Sequence, residues 1–142
     1  MVQYERLNTR DIVQICVGSF IGALSFSVEG GILDIGDRVP FCNIILVMFT
    51  SIVFSYAISY LFGIRRLGRH KIKLIAGFIP ERTMIHYISA LIFSGFILWL
   101  FGASFGVSLV GFFKRTIVLA LPATVAGSAV DLIDSQQWTQ NK

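Results

Sequence analysis

Residues 41–64 read FCNIILVMFTSIVFSYAISYLFGI, and none of these 24 positions carries a formal charge. At 1.5 Å per residue a helix of that length reaches about 36 Å, enough to cross a hydrocarbon core of roughly 30 Å. The run is too long for a buried strand and too uniformly apolar for a helix with one face in water. It is a membrane span.

Three further apolar segments lie around it. The first runs from about Ile12 to Ile35 and is interrupted by Glu29, Gly30 and Gly31; the third runs from about Met84 to Ser104, extending toward Phe113; the fourth runs from about Thr116 to Ile133. Over the 142 residues 55% are hydrophobic and only 14% are charged, against about 25% charged in soluble domains, and the mean hydropathy is +0.76. The expectation is an all-α polytopic membrane protein with four transmembrane helices, forming one four-helix domain over residues 1–142 with no room for a soluble module. The first apolar stretch continues into Val28 without a small-residue cleavage pattern, so it reads as a retained span and not a signal peptide. Cys16 and Cys42 match no zinc spacing and read as small apolar fillers.

Orientation follows from the basic residues. Arg65, Arg66, Arg69, Lys71, Lys73 and Arg82 lie between the second and third segments, and Arg6, Arg10 and Lys142 lie near the termini, which places nine on one side. Arg38, Lys114 and Arg115 place three on the other. Because cytoplasmic loops collect Lys and Arg, both termini are expected inside, in a multi-pass protein of the cell membrane. The net charge of +4 is then a topology signal, and a nucleic-acid partner is not expected. The Arg65–Lys73 cluster would also attract anionic lipid, at about 1 kcal/mol per charge. Pro80 and Glu81 suit the start of the third helix, where proline's missing N–H costs nothing and a carboxylate complements the helix dipole.

At 100° per residue the first segment has one stripe of polar and small residues: Asp11, Gln14, Gly18, Gly22, Ser25 and Glu29. Two readings fit it. In one, Gly18 and Gly22 form a small-xxx-small contact for a neighbouring helix, and Glu29 snorkels or pairs with Arg115. In the other, copies of the helix surround a pore lined by Arg10, Gln14, Gly18, Gly22 and Ser25. Glu29 then forms a selectivity ring that binds a metal ion at the outer mouth, and Asp34 and Asp37 form an acidic vestibule. Carboxylate oxygens suit Ca²⁺, and a divalent ion relieves the repulsion within such a ring.

Ser27-Val28-Glu29, followed by Asp34, Asp37 and Pro40, resembles the pore helix of the Orai calcium channels. The resemblance implies four spans, cytoplasmic termini, pore-facing positions at Ser25, Gly22, Gly18 and Gln14, inner basic positions at Arg10 and Arg6, and Ca²⁺ as the permeant ion. Pro122 is similar to a proline bend in that family's last helix. Where that family presents valine, phenylalanine and leucine to its pore, this chain has Ser25, Gly22 and Gly18. The whole chain, especially from Lys114-Arg115-Thr116 to Asp131-Leu132-Ile133, also resembles an uncharacterised family of small prokaryotic integral membrane proteins.

The remaining spans read as packing surfaces. Ser51, Ser55 and Ser59 recur every four residues, Ala123 and Gly127 do the same, and Gly95, Gly102 and Gly106 fall on a shared face. His86 reads as an interfacial or hydrogen-bonded histidine, and Asp131 and Asp134 as solvated helix-end carboxylates. Tyr56, Tyr60, Tyr87 and Trp99 are amphipathic aromatics, of which some mark the interfaces. No nucleophile–base set, P-loop or metalloprotease motif is present, so the chain is not expected to be an enzyme or to hold a cofactor beyond a transported or bound Ca²⁺. The functional expectation is a homo-oligomeric Ca²⁺-permeable cation channel in the lipid bilayer. Its alternatives are a structural or assembly protein packed through Gly18 and Gly22, and a small cation- or proton-coupled transporter using Glu29 and Asp131.

Overall fold

Glycine and proline divide the chain into its helices. The computed structural model describes the backbone of residues 9–67, 74–75 and 79–140, and the side chains of 9–58 and 82–130. Helix α1 is Thr9–Ser27, α2 is Gly30–Arg38, α3 is Phe41–Leu67, α4 is Glu81–Leu100 and α5 is Leu109–Gln140. Before α4, strands β1 (Leu74–Ile75) and β2 (Ile79–Pro80) pair antiparallel, with Ile75 opposite Ile79.

The first apolar segment does not cross as one straight helix. It breaks between α1 and α2, which are bent by 86°. Glu29 is extended there, at φ −83° and ψ 95°, and two glycines follow, each costing about 1 kcal/mol in a helix interior relative to alanine. On the preceding turn the hydroxyls of Ser25 and Ser27 donate to the carbonyls of Ile21 and Leu24, at 2.8 and 2.9 Å, a local bonding that bends helices. Helix α2 ends where Pro40 forces Val39 into an extended conformation, at φ −67° and ψ 126°.

Helices α3, α4 and α5 are each long and apolar enough to cross a membrane, and the bent α1–α2 pair is a further span if counted as one. Pro80 and Glu81 stand at the α4 entrance, as their chemistry predicts. Its exit corrects the reading of Gly102 and Gly106 as packing glycines. Ala103 N–H bonds Leu98 O and Gly102 N–H bonds Trp99 O, while Gly102 and Gly106 adopt φ +71° and +77°. These glycines terminate α4 and turn the chain, in a conformation that a Cβ would oppose.

Helix α5 begins seven residues before the expected Thr116 and includes Lys114 and Arg115. Both charged residues are good helix formers, and both bond Asp37 of α2. Pro122 lies within α5, where it cannot donate to the Val118 carbonyl. Among these helices α1 packs most extensively on α5, and α4 contacts both. Ala23, Ala90, Ile97, Leu98, Leu119, Ala120 and Ala123 form a buried apolar cluster. Ile32 and Leu33 of α2 cover it from one end.

Candidate functional site

Gly18 and Gly22, expected among the pore-lining positions, are buried against α5 of the same chain. A Cβ at Gly22 would lie 2.6 Å from Ala126 Cβ and 3.0 Å from Ala123 Cα. One at Gly18 would lie 2.9 Å from Gly127 Cα and 2.9 Å from Val130 Cβ. The approach is reciprocal, since a Cβ at Gly127 would lie 2.5 Å from Ser19 Oγ. Two backbones this close pack the small-residue face of α1 against α5 of the same chain. Gln14 is half-buried, and Arg10 and Ser25 are exposed.

The acidic positions also separate. Glu29 is exposed at the α1–α2 bend, and its side chain makes no capping hydrogen bond to α2. Asp34 pairs with Arg38, four residues on, at 2.9 Å. Asp37, and not Glu29, receives Arg115: Nε donates to Oδ1 at 2.8 Å and Nη2 to Oδ2 at 2.5 Å. Arg115 Nη1 donates to the Ala103 carbonyl at 2.6 Å, and Lys114 Nζ to the Asp37 carbonyl at 3.3 Å. The expected vestibule is therefore largely neutralised. It is a clamp that holds α2 and the 101–108 turn on α5. The guanidinium hydrogen bonds keep the Asp37 carboxyl below its ordinary value, against a smaller opposing effect of desolvation.

A second group of polar residues lies inside the bundle. On α4 the buried Thr83, His86, Tyr87, Ala90 and Ser94 recur at the three- and four-residue steps of one helix face. Ser51 and Ser55 are buried on α3, Ser19 on α1, and Thr116, Thr124 and Ser128 on α5. Some of these hydroxyls are satisfied within their own helix: Ser51 donates to Val47 O at 2.9 Å, Thr116 to Phe112 O at 2.9 Å and Thr124 to Ala120 O at 2.6 Å. Ser19, Ser55, Thr83, Tyr87, Ser94 and Ser128 instead have buried side-chain oxygens with no hydrogen-bond partner among the described residues. Leaving such a group unpaired costs about 1–3 kcal/mol.

These hydroxyls border the apolar cluster and extend beyond it. Thr83 and Tyr87 lie in the first turns of α4, Ser55 in the second half of α3 and Ser128 beyond Pro122 in α5. Ser19 and Ser94 lie nearer the middle, Ser94 about 16 Å along the axis from Thr83. The apolar cluster takes Ala90, Ile97 and Leu98 from α4, Ala23 from late α1, and Leu119, Ala120 and Ala123 from α5. Thr83 and Tyr87 thus carry the hydroxyl-bearing face toward the α4 entrance, while Ser94 alternates with Ala90 and Ile97 of the apolar cluster along the same face. Among the described residues no carboxylate, lysine or arginine is buried in the interior. Cys16 Sγ lies 4.0 Å from Ser89 Oγ at the α1–α4 contact.

This face was present in the sequence as the spacing of Thr83, His86, Tyr87 and Ser94. Ser51 and Ser55, read as packing positions, are buried on α3, and His86, read as interfacial or hydrogen-bonded, is buried on α4. No group of three or more His, Cys, Asp or Glu side chains able to hold a metal occurs among the described residues. The Arg65–Lys73 cluster and the side chains of Ser59, Asp131 and Asp134 lie outside those described.

The family described as "Putative integral membrane protein (DUF2391)" matches residues 3–133. The chain belongs to this family. The match agrees with its resemblance to small uncharacterised membrane proteins and does not extend to the Orai channels. No curated protein matches the chain, and no solved structure does.

Proposed function

We propose that the chain is a small membrane transport protein that passes protons or a monovalent cation through its own bundle. One observation carries this reading: buried hydroxyls without partners among the described residues lie on α1, α3, α4 and α5, with Thr83 and Tyr87 toward the α4 entrance and apolar-cluster residues one turn beyond Ser19 and Ser94. Water or a transported cation supplies the missing partner to such groups. Neutral hydroxyl oxygens hold a monovalent ion weakly enough to release it, whereas Ca²⁺ favours carboxylate ligands. The contact among Ala23, Ile97, Leu98 and Leu119 is the barrier that parts for transit. A path within one chain also needs no axis between first helices, in keeping with the closed Gly18–Gly22 face.

A cation channel between copies, with Glu29 at its mouth, is the second reading, favoured by the exposure and missing cap bond of that carboxylate. Proteoliposomes loaded with pH-, Na⁺- or Ca²⁺-sensitive dyes separate the two. The bundle reading predicts proton or Na⁺ flux that falls about tenfold in Ser94→Ala and in Thr83→Val, as expected for the loss of one interaction worth roughly 1.4 kcal/mol in the transit barrier. Glu29→Gln should leave that flux within about twofold, less than 0.5 kcal/mol on the same scale. Ca²⁺ uptake that Glu29→Gln abolishes and Ser94→Ala leaves untouched would reverse the assignment. Wild-type vesicles that pass none of these ions would defeat both readings.

A further inference from the structure

We infer that the start of α5 holds a phosphate-binding seat for a membrane phospholipid. Asp37 of α2, residues 106–108 and the first turns of α5 border an open depression of about 420 Å³, with Ser108, Gly111, Lys114 and Arg115 in its lining. Its charges are unequally engaged. Arg115 spends two donors on the Asp37 carboxylate and a third on the Ala103 carbonyl. Among the described residues Lys114 meets only the Asp37 carbonyl, at 3.3 Å, so its ammonium keeps donors and a charge for a ligand. Ser108 Oγ accepts from the Gly111 N–H at 3.2 Å, leaving its own O–H to donate. The ligand indicated by these donors is an anion with several acceptor oxygens, and the dipole of α5 favours it further.

The rim identifies the carrier of that anion. Leu109 is 77% exposed, Val110 58% and Phe113 61%, so the polar seat opens onto a large apolar surface at the start of a candidate span. Inorganic phosphate would use the seat alone. A phospholipid uses both, placing its phosphodiester at Lys114 and Ser108 and its acyl chains along Val110 and Phe113.

Native mass spectrometry of the detergent-purified full chain, titrated with phosphatidylglycerol or with inorganic phosphate, tests the assignment. Wild type and Lys114→Arg should retain one phosphatidylglycerol. Lys114→Gln should lose it about fivefold, the equivalent of the roughly 1 kcal/mol that one basic residue contributes at a lipid surface. Arg38→Gln, at an exposed position on α2, should retain the lipid, and millimolar inorganic phosphate should not displace it. Undiminished lipid binding by Lys114→Gln, an equal loss in Arg38→Gln, or displacement by inorganic phosphate would each overturn the lipid seat.

Discussion

Gly22→Leu is expected to separate α1 from α5 and leave little folded protein in detergent, well beyond the effect of blocking a conduit. A Cβ alone would lie 2.6 Å from Ala126 Cβ and 3.0 Å from Ala123 Cα. The second of these contacts is backbone, which cannot rotate away. Overpacking by a few methylene groups costs about 1–3 kcal/mol in a well-packed core, and leucine adds more volume than that along the most extensive helix contact in the chain. Gly30→Ala and Gly31→Ala are the internal controls, because a Cβ at either position meets nothing within 4 Å. Both should stay within about 1 kcal/mol of wild type. Circular dichroism and size-exclusion profiles on heating read the difference. A Gly22→Leu protein that melts with wild type while its ion flux is blocked would return this face to a pore axis.

Arg115→Gln carries the second large effect. Three hydrogen bonds from one guanidinium join α2, the 101–108 turn and α5, and its side chain is 15% exposed. Removing it leaves the Asp37 carboxylate without its bidentate partner and the Ala103 carbonyl short of a donor, a loss of about 1–3 kcal/mol. Asp37→Asn should cost less, because that carboxylate is 43% exposed and water replaces much of what it loses. The pH dependence has a fixed sign. Since Arg115 lowers the Asp37 carboxyl in the folded chain, the stability it provides is fully present above the ordinary carboxylate value and is lost as pH falls through the lowered one. Denaturation of wild type and Asp37→Asn across that acidic range should therefore converge as the pH drops. Curves separated by a constant interval would remove Asp37 from the clamp.

The extent to which the sequence disclosed this arrangement depended on what each residue's neighbours had to be. Residues 41–64 determine a span by themselves, because uncharged length is a local property. Glu29, Gly30 and Gly31 marked the interruption of the first segment, yet only the folded chain shows an 86° bend there. The partner of Arg115 was beyond sequence reasoning. Glu29, Asp34 and Asp37 are equivalent in charge, and the choice among them depends on where α2 lies after the bend. The hydroxyl-bearing interior was obscured for another reason. Helices apolar on every side carry no sign of which face is buried, so Thr83, Tyr87 and Ser94 look the same in sequence whether they face lipid or one another. The Gly18–Gly22 stripe was visible, but spacing alone serves a packed face and a pore face equally.

Reaction of silver ion with single cysteines tests the central claim most directly, since this small monovalent cation reports access to the interior. In a background with Cys16 and Cys42 replaced by alanine, cysteine is placed singly at Ser55, Thr83, Ser94, Ala23 or Leu119, and modification is read as lost maleimide labelling after denaturation. The account predicts modification of Ser55→Cys, Thr83→Cys and Ser94→Cys when silver is supplied on the side of the α3–α4 connection. Ala23→Cys and Leu119→Cys should stay protected behind the apolar cluster. Protection of all five positions from both sides, or equal modification of Ala23→Cys and Ser94→Cys, would contradict a conduit that enters the bundle among its hydroxyls.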